Sequence, residues 1–281
     1  MKRYRICAFD FDARANLLNQ PTEGWSEEAK ANLKKQIQQI EQEIINEFGT
    51  IDKIAKIKRF KEIGAKSLSI IAHHNFLHNQ IRSAYVQGNF YPALTSACAL
   101  GERILNHLVL DLREDYDDGS EEPNEHSGIF TCKSCSSWNL MINTLTRWGI
   151  FNSNIKNLFK ELSKKRHKSL HFNEGTINNL GDESLGTIKI LQEIIQKLFP
   201  AFGGDYFIPT KGETYLKKEL ESKPFFKKYY LPNSKLVSPY HKVIKVRPRF
   251  IIEDIDNVED KEVSDNQFIK LREKFLATKT C

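Results

Sequence analysis

From Ala29 to Phe48 apolar side chains recur at spacings of three and four: Ala29, Leu33, Ile37, Ile40, Ile44, Ile45 and Phe48. That period gathers them on one stripe of an α-helix, which Trp25 and Ser26 open and Gly49 closes. Before it, RYRICAFDF alternates well enough to predict a short strand, and Asn19 to Gly24 is rich in turn formers. Residues 50 to 64, TIDKIAKIKRFKEIG, fit a charged helix or a strand, and the pattern does not choose. From Ala65 the period is helical as far as Gly88; the turn NFYP follows, and ALTSACALGERILNHLVLDLRE continues as a second long helix. A connection that short makes the two an antiparallel hairpin. Further helices are predicted over roughly 137–148, 155–172 and 184–199.

After Pro200 the pattern changes to aromatics, prolines and turns. VIKVRPRFIIEDID reads as two short strands and DNQFIKLREKFL as a closing helix. The expected fold is mainly α. A strand and amphipathic helix occupy 1–64, a helical bundle 65–200, and a small basic α+β appendage, packed on the bundle, 201–281.

A chain of 281 residues can bury a sizeable core. No stretch approaches the ~18 apolar residues of a membrane span, and the N-terminus never reaches an apolar run of signal-peptide length, so a soluble, cytoplasmic protein without a membrane partner is expected. Five cysteines, Cys7, Cys98, Cys132, Cys135 and Cys281, are an odd number and predict reduced thiols rather than a disulfide framework. The net charge of +6 is unevenly spread. Lys211 to Arg249 carries eleven Lys and Arg against three Glu, whereas Leu112 to Glu125 carries seven acids against one arginine and reads as an exposed loop.

Candidate chemistry concentrates in KELSKKRHKSLHFNEG, residues 160 to 175. On an ideal helix Arg166 and His171 lie about 140° apart, but the arginine is long and Asn173 to Gly175 supplies a helix end near which the two groups can meet. In a last turn the helix dipole favours imidazolium, which suits His171 to proton transfer. A guanidinium offers forked donors to phosphate oxygens. Together they provide what a metal-independent ribonuclease needs: a proton shuttle at the 2′-hydroxyl and a cation for the developing phosphorane charge. Lys164, Lys165 and Lys168 beside them are expected to face RNA phosphates.

RHKSLH resembles the RxxxxH motif of the HEPN superfamily, including the polar residue after the arginine, and GNFYPALTSACALGERILNHL is similar to that superfamily's second-helix region. The resemblance spans about 65 to 200. It implies an endoribonuclease needing neither metal nor cofactor, with His171 as general acid or base, Arg166 as phosphate ligand, His167 as an auxiliary polar group and Glu102 orienting Arg166. It implies 2′,3′-cyclic phosphate and 5′-hydroxyl ends, a homodimer, and a toxin or antiphage defence setting with a protein inhibitor or defence partner. The alternative under the same resemblance is a catalytically inactive RNA- or nucleotide-binding or dimerisation module.

Other patterns carry less. FDFDAR superficially resembles the DxD of haloacid dehalogenase-type phosphatases, but Arg14 stands where Thr or Val is expected and no alternating βαβ series follows. Cys132 and Cys135 make one CxxC without the second pair that a structural zinc needs. His74 and His78 share a helix face and His73 adjoins them, yet no acidic partner recurs as in HExxH, so packing is favoured over metal. KPFFKKYYLPNSKLVSPYHKVIKVRPR mixes rings with cations. The rings Phe225, Phe226, Tyr229 and Tyr230 are expected to pack, leaving Lys227 and Lys228 toward RNA.

Overall fold

A computed structural model describes residues 1–7, 10–116, 129, 133–170, 175, 178–210, 212–246, 249–255 and 261–278. The chain is mainly helical, with a short N-terminal strand region and a small C-terminal strand cluster. It forms two compact units: residues 10–199, and residues 1–9 together with 200–281. The boundary expected at residue 64 is therefore not where the chain divides. β1 (Arg3–Ile6) belongs to a sheet completed more than 200 residues later, and the chain from β2 (Asp10–Asp12) as far as Phe199 joins the bundle.

In the bundle, α1 (Arg14–Leu18), α2 (Glu27–Phe48) and α3 (Lys53–Ile63) pack through Ala15, Leu18, Ile40, Ile44, Phe48 and Phe60. Ser26 caps α2 by accepting from the Ala29 amide. The helix ends where Gly49 takes φ 86°, and its last carbonyl, that of Phe48, accepts from buried Lys56 at 2.6 Å. The ambiguous stretch after Gly49 is thus helical, held by Phe60 and Ile63 in the core.

The helix expected to start at Ala65 starts later. β3 (Lys66–Ser69) comes first, pairing antiparallel with β2, and α4 (Ala72–Gln87) follows. Gly88, at φ 89°, turns the chain into α5 (Phe90–Leu112). Pro92 lies in the first turn of α5, where a missing N–H costs no intrahelical bond. α6 (Trp138–Arg147), α7 (Ser153–Leu170) and α8 (Leu180–Leu198) complete the bundle. α5 is its axis, touching α4, α6, α7 and α8, with Leu100, Ile104, Leu105, Leu108, Val109 and Leu112 buried.

The other unit is built on a four-stranded sheet ordered β4 (Phe207–Ile208), β5 (Tyr215–Leu216), β1 and β6 (Ser234–Val237), with α9 (Pro224–Tyr229) preceding β6. β7 (Lys242–Val246) and β8 (Arg249–Glu253) form the hairpin expected from VIKVRPRFIIE, and α10 (Asp265–Ala277) follows. Phe225, Phe226, Tyr229 and Tyr230 are buried among one another. No helix among the described residues is long and apolar enough to cross a membrane.

Candidate functional site: the α5–α7 crossing

α5 and α7 cross with little space between them. A Cβ at Gly101 would lie 2.3 Å from Leu162 Cδ2, and both residues are buried. Glu102 follows Gly101, and Arg166 sits one turn after Leu162. The crossing thereby brings Arg166 Nε to Glu102 Oε2 at 2.9 Å. The pair is partly open to solvent, with 34% of the arginine side chain and 28% of the glutamate accessible. Among the described residues no hydrogen bond reaches the terminal nitrogens of Arg166.

Trp138, at the start of α6, lies against the arginine, its ring centroid 6.0 Å from Cζ. Asn106 fixes the segment leading to that helix. Its Oδ1 accepts from the Cys135 amide at 2.8 Å and its Nδ2 donates to the Cys135 carbonyl at 3.1 Å, while the Ser137 side chain caps α6. Cys98, one turn before Glu102, is buried, and burial pushes its thiol up to about 11, against weaker lowering by Ser169 and Arg166. It is not a thiolate nucleophile at neutral pH.

Of the sequence-predicted residues, Arg166 and Glu102 meet, and His167 lies exposed beside them. His171 falls outside the described residues, as do Asn173 and Glu174 of the helix end expected at Asn173 to Gly175. Lys164 and Lys168 are exposed. Lys165 is instead engaged, its Nζ 2.7 Å from Glu183 Oε2 of α8. Lys227 and Lys228 are exposed on α9, in the other unit.

The remaining motifs resolve differently. Cys135 is disulfide-bonded, which corrects the expectation of a reduced thiol there; Cys132 and most of the acidic loop lie outside the described residues. From FDFDAR, Asp10, Phe11, Asp12 and Arg14 line a polar cavity of about 430 Å³, where Asp10 pairs with Lys66, and Asp12 accepts from Arg14 at 2.8 Å. Burial there would raise Asp12, but its hydrogen bonds from Arg14 outweigh that and hold it below the usual carboxylate range. His78 is buried outside the histidine cluster. His73 and His74 meet not His78 but His107, on α5. That residue escaped sequence reasoning, although an antiparallel hairpin centred near residue 90 places 73 opposite 107.

Comparison with protein families, with curated proteins and with solved structures returns no match.

Proposed function

We propose that the chain is a metal-independent endoribonuclease of HEPN type. The observation that carries this reading is the Arg166–Glu102 pair. A partly exposed ion pair adds only ~0–1 kcal/mol to stability, so a glycine-enforced helix crossing that holds a partly exposed guanidinium against a carboxylate makes more sense as positioning than as structural support. The flanking Lys164 and Lys168 add positive potential where a sugar-phosphate chain would run.

In this mechanism the 2′-oxygen attacks the adjacent phosphorus as His171 takes its proton. Arg166 binds the non-bridging oxygens as charge builds on them, and the 5′-oxygen leaves carrying a proton returned by the imidazole. The products are a 2′,3′-cyclic phosphate and a 5′-hydroxyl. A homodimer that brings two such motifs together, and a toxin or antiphage role restrained by a protein partner, belong to the same proposal.

The test is cleavage of single-stranded RNA in EDTA, with product ends read by mass spectrometry. Arg166→Ala and His171→Ala should each lower the rate by about 10²–10⁴-fold without unfolding the chain. RNA bound but left intact by the wild type would instead identify a binding module.

A further inference from the structure

The α4–α5 hairpin holds a second cluster, which the nuclease reading does not use. His73 and His74 lie in the first turn of α4, and His107 lies little more than one turn from the end of α5. Each ring offers a nitrogen, and these three atoms lie within 4.8 Å of one another. His73 Nε2 and His107 Nδ1 are 3.2 Å apart. Two imidazole nitrogens on one tetrahedral zinc, each at 2.0–2.1 Å, would be separated by about 3.3 Å.

The independent observation is His74. It is 1% exposed, and neither of its ring nitrogens has a hydrogen-bond partner. Buried polar groups are normally satisfied, and an imidazole with both nitrogens orphaned beside two others is unexplained by packing alone. Its ring lies 4.3 Å from that of His73 and 5.9 Å from that of His107, nearly parallel to the latter. The orphaned side chain thus faces the pair that could share a ligand with it.

We propose that His73, His74 and His107 form a binding site for a divalent transition metal that prefers imidazole nitrogen, zinc(II) above all, with a further coordination position open to solvent beside exposed His73. Three neutral imidazoles around an open position are a donor set suited to zinc. Burial, with smaller contributions from neighbouring charges, keeps each ring below the ordinary histidine range and its lone pair available. Two charges flank the cluster on α5. Arg103 opposes a cation and Asp111 favours one, so they set the affinity while the donors set the choice of ion. The metal would tie the first turn of α4 to the last part of α5. This proposal does not depend on the nuclease reading.

The experiment uses the full chain, stripped with EDTA, desalted, and titrated with cobalt(II) and then zinc(II). One equivalent of cobalt should bind with the visible bands of a four-coordinate ion, zinc should displace it, and zinc should raise the melting temperature. His73→Ala, at an exposed position, and His107→Ala should each weaken zinc binding by about tenfold or more against a chromophoric chelator, with the helical circular dichroism kept. Three results would overturn the proposal: no binding by the wild type at micromolar zinc, adventitious binding unchanged in the His73→Ala/His107→Ala double variant, or metal lost on Cys135→Ser and retained by that double variant.

Discussion

Gly101 shows how much of the candidate site rests on one missing methyl group. A Cβ there meets Leu162 Cδ2 at 2.3 Å and Trp138 Cη2 at 3.3 Å, and Leu162 is fully buried, so neither side can yield freely. Gly101→Ala should cost about 1–3 kcal/mol through overpacking, visible as a lower melting temperature; an unchanged melt would mean that α5 and α7 separate without penalty. Glu102→Gln tests positioning rather than packing. It keeps the shape and one acceptor while removing the charge, so on the proposed nuclease reading kcat for RNA cleavage should fall by about tenfold or more, with KM and melting temperature little changed. A merely structural glutamate would give the opposite pattern. At this scale the sequence was partly legible. Glu102 and Arg166 are 64 positions apart, and only the family resemblance put them in one thought. His107 is not legible from i, i+4 spacing on a single helix, because the cluster forms across a hairpin.

The elements were legible wherever the apolar period was long. α2, α5 and α8 lie within a few residues of their expected bounds because each buries a continuous stripe. β3 was not legible: KSLS is too short to stand out beside the strong helical period of α4, and its pairing with β2 is decided by residues more than fifty positions earlier. α10 begins with a capping box, in which Ser264 accepts from the Gln267 amide and Gln267 returns a bond to the Ser264 amide. Ser264→Ala should destabilise its unit by about 1 kcal/mol, measurable by denaturant unfolding.

Glu213 joins three elements of that unit. It accepts from Arg5 of β1 at 3.0 Å, from Arg272 of α10 at 2.7 and 2.8 Å, and from the Tyr215 hydroxyl at 2.5 Å. Burial alone would raise its pKa, but the bonds from Arg272 and Tyr215 and the charge of Arg5 bring it down to about 2. A carboxyl lowered on folding contributes stability that is complete above its unfolded value near 4.5 and disappears as pH falls through about 2. Unfolding followed between pH 6 and 2 should therefore show a loss of stability that Glu213→Gln largely lacks, the variant being weaker at pH 7 because two arginines lose their counter-ion.

For the whole molecule, composition and pattern gave the mainly helical class and the strand-rich C-terminal part, but not the way the chain divides. Nothing local in RYRI says that its partners are Tyr215 and Ser234 to Val237; strand pairing at that separation leaves no periodic trace. Because β1 stands inside the sheet, between β5 and β6, removing residues 1–6 should abolish that sheet rather than trim an edge. Limited proteolysis of the truncated chain should cut readily within 200–278 while helices α2 to α8 resist.

The interior place of β1 also bears on biosynthesis. Ribosomes make this strand first and its neighbours β5 and β6 some 210 to 230 residues afterwards, so at ~5–20 residues per second it waits about 10–45 s without its hydrogen-bonding neighbours. Nascent chains arrested before Val237 has left the exit tunnel should therefore expose Arg3–Ile6 to protease or to chaperones, even after the helices behind it have begun to pack.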